Sequence, residues 1–504
     1  DEHWAKRGSF AETTYPELGK TFVNVGARWV DSDVRWVTEH RAPLIGEHTT
    51  VVLNEWTGEA SPRIQVRERT PVLSKHGKPF ALGGLRVVDL SWMLASAGAG
   101  RILAALGAEV IKVEHESRPD GMRHTRVKYP AGGRKERDAA TGPITPPKEW
   151  SINSGGNFME INTGKLGLSL NLKSPEGREI LTDLIRNADV VTEGFSPGTM
   201  DRMGFGFDKL KEINPRVIYV QQSGFGEAGT YGAAKAFGPT AQAFSGLTEM
   251  SGLPEPWPPA GIGFSYLDWF GAYNMATAVL AALARRDITG QGCHIDASQV
   301  EVGLYLTGTA ILDYSANGRG WSRYGNRSPY KAAAPHGIYR TQGTDRWIAI
   351  ACFTEAQWHA LHDVLELPSL AADPRFSHLS ARVKFQDDLD RLIEEKTVAW
   401  DRYELMYALQ GAGVPAGVAQ DAEDRIDFDP QLRAHGWQIE LPQTENGIWP
   451  AREHPVRLSA TPTYAGGLKG RHGPNYGEDT DDVLTRILGL SQSQVDDLRR
   501  RGVV

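Results

Sequence analysis

One acidic residue, Asp268, stands alone in an aromatic stretch, Gly263-Phe264-Ser265-Tyr266-Leu267-Asp268-Trp269-Phe270-Gly271-Ala272-Tyr273, just ahead of a strongly helical segment over residues 274–286. Two readings of that placement stand side by side. Asp is a preferred N-cap, because its carboxylate accepts from the free N–H groups of the first turn. The same helix end favours the anion, and a poorly hydrated carboxylate is a competent nucleophile toward a thioester. Other chemistries find little support. Residues 85–90 are not followed by Gly-x-Gly-x-x-Gly and no Gly-Lys-Ser/Thr loop occurs, which disfavours a nucleotide-dependent dehydrogenase or kinase. No His-Glu-x-x-His or paired-cysteine spacing exists, and His359 and His362, three apart on an expected helix, have no third ligand nearby. No metal is expected.

The elements that must carry Asp268 follow from periodicity. Short β-branched runs at 85–90, 108–114, 168–172, 188–192 and 216–221 alternate with helical patterns. The clearest helix spans 174–187, with Ser174 as N-cap, Pro175 at its first position, and Ile180, Leu181, Leu184 and Ile185 on one face. Such alternation predicts an α/β protein with a Rossmann-like, mostly parallel sheet in a large domain. Residues 346–350 and 355–365 read as the strand and helix of a smaller α+β domain, while 121–149, rich in Lys, Arg, Pro and Gly, reads as an exposed loop.

In this framework the chain resembles the family III CoA-transferases over residues 82–504, nearly its whole length. The resemblance is carried by Leu85-Arg86-Val87-Val88-Asp89-Leu90, Leu106-Gly107-Ala108-Glu109-Val110-Ile111-Lys112-Val113-Glu114, Leu170-Asn171-Leu172-Lys173-Ser174-Pro175-Glu176-Gly177, and Ala188-Asp189-Val190-Val191 followed by Phe195-Ser196-Pro197-Gly198. Asn214-Pro215-Arg216, Gly224-Phe225-Gly226, Thr289-Gly290-Gln291-Gly292 and Gly413-Val414-Pro415 continue it in family order. The resemblance implies an interlocked-dimer fold, a nucleophile at Asp268, and transfer of CoA between an acyl-CoA and a carboxylic acid through an aspartyl mixed anhydride and an aspartyl-CoA thioester. It implies no permanently bound cofactor. CoA contacts map onto Leu94, Ala95, His115, Leu170, Asn171, Leu172, Lys173, Gly194, Phe195, Arg202, Met203, Ser223, Gly224 and Phe225, with Lys173 and Arg202 as phosphate partners. Gly194 stands where the family usually has Asn, and His115 and Ser223 where some members carry Arg and Lys. The glycine-run loop of formyl-CoA transferase is replaced by Gly325-Asn326-Arg327-Ser328-Pro329-Tyr330 and Ala334-Pro335-His336-Gly337, which argues against oxalate and formate as the natural pair. The related α-methylacyl-CoA racemases share the fold but pair the aspartate with a histidine. The matching segment here, Ala236-Phe237-Gly238-Pro239-Thr240-Ala241-Gln242, has none. A catalytically silent half of a tandem protein is the third alternative. Trp257, Tyr266, Trp269, Phe270 and Tyr273 point to an apolar acyl pocket.

Bulk properties fit an enzyme of this kind. At 504 residues, with a formal net charge of -7 and dispersed basic residues, the chain has two or more domains and no general attraction to nucleic acid or to an anionic membrane. Two cysteines, Cys293 and Cys352, suit a reducing cytosol, and the longest apolar run, 276–284, falls short of a bilayer span, so a cytoplasmic location is expected. One repeat stands out: Pro43, Gly46, Glu47, Thr49, Val52 and Leu53 recur at identical spacing as Pro474, Gly477, Glu478, Thr480, Val483 and Leu484. With the non-methionine first residue, this gives an expected layout: 1–57 the tail of a preceding CoA-transferase copy, 58–80 a linker, 81–325 and 431–504 the large CoA-binding domain, and 326–430 the small domain. The expected assembly is a homodimer, or a pseudo-dimer within one tandem chain.

Overall fold

The computed structural model describes residues 1–58, 70–140 and 149–504. The central part of the expected linker and residues 141–148 of the expected exposed loop lie outside the described residues. The described remainder of that loop holds a 3-10 turn, Gly121–His124, and a helix, Gly133–Ala139, so it is more regular than its composition predicts.

The chain divides into two compact units. The first comprises Asp1–Thr248, Gly261–Trp321 and Arg433–Val504. Its frame, among the described residues, is a seven-stranded sheet built from β1 (Trp29–Asp31), β2 (Arg86–Asp89), β3 (Glu109–Glu114), β4 (Leu166–Ser169), β5 (Val190–Glu193), β6 (Ile218–Ser223) and β7 (Cys293–Ser298). The order across the sheet is β1-β7-β6-β5-β2-β3-β4, and every pairing is parallel except that of β1 with β7. The α/β class and the parallel large sheet read from the sequence are therefore found. Strand β4 ends three residues before its expected window of 168–172 closes, because the chain from Leu170 onward already turns toward the helix Pro175–Arg186. That helix has the predicted cap: the Gly177 amide donates to Ser174 Oγ at 2.9 Å.

Apolar side chains pack both faces of the sheet. One layer joins Val87, Val110, Val190 and Ile218 to helices α1 (Ala95–Ala105) and α2 (Tyr266–Thr289), and the other joins Val88, Ile111 and Val191 to Ile180, Leu184, Val483 and Leu484. Helices α1 and α2 touch closely enough that a Cβ on Gly98 would lie 2.9 Å from the Ala272 Cβ. Two antiparallel hairpins flank the sheet, Phe10–Tyr15 with Lys20–Val25 and Gln438–Gln443 with Gly447–Arg452.

The second unit comprises Glu249–Ala260 and Ser322–Leu432. It holds a three-stranded antiparallel sheet, His336–Arg340, Trp347–Ala351 and Ala416–Val418, and a helical layer whose core includes Tyr339, Trp358, Phe376, Leu389 and Leu405. His359 and His362 meet on its helix Glu355–Val364, their rings hydrogen-bonded to each other at 3.1 Å. The loop segments 325–330 and 334–337 and the ring of Trp257 belong to this unit.

Candidate active site

In an open parallel sheet the natural crevice lies beyond the carboxyl ends of the strands, where the order reverses. Here the chain runs outward from β2 to β3 and β4, then returns to the other side of β2 as β5. A cavity of about 390 Å³ opens at that point. It is lined by residues that follow those four strands, among them His115, Leu170, Asn171, Leu172, Lys173, Phe195 and Met203, seven of the residues expected from the sequence.

The cavity has an aromatic wall and a cationic rim. Trp92 meets the Phe195 ring edge-on at 5.5 Å, and the Arg118 guanidinium lies over Trp92 at 4.9 Å. Neither Trp92 nor Arg118 was expected from the sequence. The signal available was position: both immediately follow strand ends, Trp92 after β2 and Arg118 after β3. Lys173 and His115 complete the rim, and the His115 ring is held to the Ser117 hydroxyl at 2.8 Å. Glu114, also in the lining, is neutralised by a buried pair with Arg123 at 2.8 Å, so the cavity keeps a positive balance for an anionic ligand.

The remaining expected contacts fall elsewhere. Arg202 does not line the cavity; its guanidinium donates to Thr199 Oγ1 at 2.9 Å, and Thr199 is the residue that faces the space. Leu94 is buried against Met122, Phe158 and Trp269, and Ala95 opens α1. Ser223, Gly224 and Phe225 close the end of β6: Phe225 is buried, the Gly224 carbonyl accepts from the Val300 amide, and the Ser223 hydroxyl is buried with no hydrogen-bond partner among the described residues.

A run of direct contacts leads from the cavity to Asp268. Gly194, beside Phe195, approaches Ser96 so closely that a Cβ there would sit 2.7 Å from Ser96 Oγ. That hydroxyl donates to Gln222 Oε1 at 3.3 Å, and Gln222 Nε2 donates to the Gly271 carbonyl at 2.9 Å, one turn along α2 from Asp268. The bulkier Asn that the family usually carries at position 194 would not fit this packing, which gives Gly194 a local steric reason.

Asp268 is not the N-cap expected from the sequence. Helix α2 starts at Tyr266 with Ser265 in the cap position, and Asp268 sits inside its first turn. Gln299 Nε2 donates to Asp268 Oδ1 at 2.5 Å. Burial pushes the carboxyl pKa up from its ordinary value, and the Gln299 and Ser265 hydrogen bonds pull it partly back. Burial thus acts against the helix end, which favours the anion. The opposite oxygen, Oδ2, faces Gly238, where a Cβ would lie 2.7 Å away. Any side chain at that position would clash with the carboxylate, whose Oδ1 lies only slightly farther, at 2.9 Å. Of the aromatic residues nearby, Trp269 takes the Arg452 guanidinium at 5.2 Å, while Tyr266 and Phe270 pack on each other at 4.6 Å.

Two further buried carboxylates stand close to this machinery. Glu193, at the end of β5, is pushed up to about 8 by burial, and it accepts from the Phe195 amide and the Tyr219 hydroxyl. Glu301, two residues beyond Gln299, is pushed up by burial and held by Arg7 at 2.8 Å.

Comparison with known proteins matches this arrangement. The sequence model of CoA-transferase family III covers residues 82–480. The chain is 31% identical over 432 residues to the succinyl-CoA–D-citramalate CoA-transferase of Chloroflexus aurantiacus, spanning 86% of this chain and 100% of that one. It is 29% identical to the succinate–glutarate CoA-transferase of Agrobacterium fabrum, over 82% of this chain and 97% of that one. Among solved structures it resembles a CAIB/BAIF family protein from Brucella suis, with a TM-score of 0.71 at 30% identity over 81% of this chain and 99% of that one. No helix among the described residues is long and apolar enough to cross a membrane. With the site's geometry and these likenesses in agreement, the chain belongs to the family III CoA-transferases and is an enzyme of that class.

Proposed function

We propose that the chain moves CoA from an acyl-CoA donor to a small carboxylic acid through covalent intermediates on Asp268. The observation that carries this reading is a half-buried carboxylate anchored by Gln299 through one oxygen, packed on a glycine at 238, and joined by direct contacts to a cationic cavity suited to a nucleotide. Oδ2 attacks the thioester carbonyl, the C–S bond breaks, and CoA leaves as thiolate. The thiolate then attacks the aspartyl carbonyl of the mixed anhydride and expels the donor acid. An acceptor carboxylate attacks the resulting aspartyl-CoA thioester, and the released thiolate takes the acceptor's acyl group, restoring the Asp268 carboxylate. The cavity binds the CoA moiety, with Lys173 and Arg118 on its phosphates and Trp92 against its base. The Ser223 hydroxyl, buried and without a partner among the described residues, and the backbone around Gly224 supply donors for the oxyanions formed on the way. Two relatives are named for succinyl, glutarate and citramalate chemistry, which makes small dicarboxylates the first acceptors to test.

A racemase reading needs a second acid/base, and the hydrogen-bond partners of Asp268 are an amide and a hydroxyl. The deciding experiment is trapping. After incubation with a turned-over acyl-CoA, hydroxylamine should leave a hydroxamate on Asp268, and Asp268→Ala should lose transfer by several orders of magnitude. Substantial transfer by Asp268→Ala, or a label elsewhere, would overturn the mechanism.

A further inference from the structure

The sequence repeat is also a structural repeat. Each copy begins with a short helix ended by a left-handed glycine, Gly8 or Gly436, and continues into an antiparallel hairpin of six paired residues per strand. Each ladder is extended by one more bond, from Gly26 N to the Ser9 carbonyl and from Glu453 N to the Trp437 carbonyl. Each copy ends in the same turn. Glu47 accepts from the Leu44 amide at 2.8 Å and Glu478 from the Asn475 amide at 2.7 Å; Gly46 and Gly477 take positive φ; the Val52 and Val483 amides open the helical ladder at 2.9 Å each.

The copies are docked by opposite ends. In the C-terminal copy the tail is buried, with Val483 and Leu484 in the core against Leu168 and Leu170, while the head, including Gln431 and His435, is exposed. In the N-terminal copy the head is buried: Trp4 packs on Phe225, and Arg7 enters a pocket formed by Asp296 and Glu301. Its tail is not, and Val52, Leu53 and Trp56 are 37%, 54% and 82% exposed.

We propose that residues 1–57 are the closing segment of a second body of this same fold, joined through residue 1 in one polypeptide, and that the helix Thr49–Thr57 docks on that body's sheet as Val483 and Leu484 dock here. The same body receives the exposed head at 430–437 in its own version of the Arg7 pocket. A second copy of this chain does not fit as occupant, because both of its receiving sites are already filled by its own residues. The inference rests on the family fold and is independent of the role given to Asp268.

The test compares the polypeptide in its source cells with the 504-residue chain. Intact mass and peptide mapping should find residues 70–504 in a chain of roughly 1.7 times 55.3 kDa, because residues 1–57 already supply the end of the second body, with the rest of a second family III sequence ahead of residue 1. Val52→Asp with Leu53→Asp should leave the Tm of the 504-residue chain within about 1 °C, and lower that of the source polypeptide by at least about 3 °C. A source polypeptide with no like body ahead of residue 1 overturns the proposal. So does a double substitution that destabilises the 504-residue chain itself, or a homodimer of that chain that the substitution dissolves in sedimentation.

Discussion

The hydrogen bond from Gln299 to Asp268 sets when the proposed nucleophile is ready, and Gln299→Leu removes it while keeping a buried side chain of similar size. A hydrogen bond to a charged group contributes about 1.5–3 kcal/mol, and one pKa unit is about 1.4 kcal/mol. Asp268 is half-buried, so water replaces part of the lost bond and the lower end applies: an upward shift of about one unit on top of the rise that burial already causes. The acid limb of kcat/KM for acyl transfer should move up by about that amount. At a pH below both limbs, the variant should be about tenfold slower. Stability follows the same linkage. A carboxyl with a raised folded-state pKa holds its proton longer in the native state, so stability falls as pH rises from the ordinary aspartate value of 3.8 through the raised one. The Tm deficit of Gln299→Leu should therefore be absent below that window and develop across it. An acid limb that stays in place or moves down, with the variant folded, would refute the account of how this carboxylate is tuned.

Other consequences are checked more simply. Lys173→Ala and Arg118→Ala should each raise KM for acyl-CoA about tenfold or more with little change in kcat, because phosphate contacts far from the reacting carbonyl act alike in ground and transition states; Arg202→Ala, outside the cavity lining, should do less. Gly238→Ala should cut turnover through the 2.7 Å approach to Oδ2 while leaving CoA-ester binding near wild type. Arg7→Ala leaves two buried carboxylates uncompensated and should cost about 3–5 kcal/mol by chemical denaturation. Glu301 already titrates high through burial, so that deficit should be small below its ordinary value of 4.5 and grow as pH rises.

What the sequence made legible is what depends on neighbours in the chain. Strand, turn and helix signals around 85–90, 108–114 and 174–187 are local, and residues just past those strands, His115, Leu170 to Lys173 and Phe195, did assemble one cavity. Trp92 and Arg118 sit in equivalent positions but were not singled out, because an isolated Trp or Arg after a strand looks like ordinary surface. Arg202 shows the opposite case: a cation of suitable type and position lies exposed outside the cavity lining, bonded to a hydroxyl three residues away. Asp268 was found as the sole acid in an aromatic stretch. Its place within the helix, rather than at the cap, was not, since helix ends shift by a residue or two and Ser265 competes for the cap.

The least legible part is the support behind the site. Gln299 opens the helix Gln299–Leu306, and Ser298 caps that helix by accepting from the Glu301 amide at 3.3 Å. Glu301 is in turn fixed by Arg7 and by the Ser9 hydroxyl at 2.7 Å, and Arg7 also pairs with Asp296 on β7. His3 bonds the Phe225 carbonyl at 3.1 Å, beside the strand end that carries Ser223 and Gly224. Apart from the Ser298 cap, these links join residues more than two hundred positions apart, so no local pattern announces them. Their effect is nevertheless direct: an ion pair supplied by the N-terminal segment holds the helix start that presents the Gln299 amide to Asp268. On the proposed mechanism, the charge state of the nucleophile thus depends on a segment outside the residues that match the family, 82–480. That dependence explains why buried charges at Arg7, Asp296 and Glu301, costly in themselves, hold their positions beside the site: they fix geometry that apolar packing alone leaves free to slide.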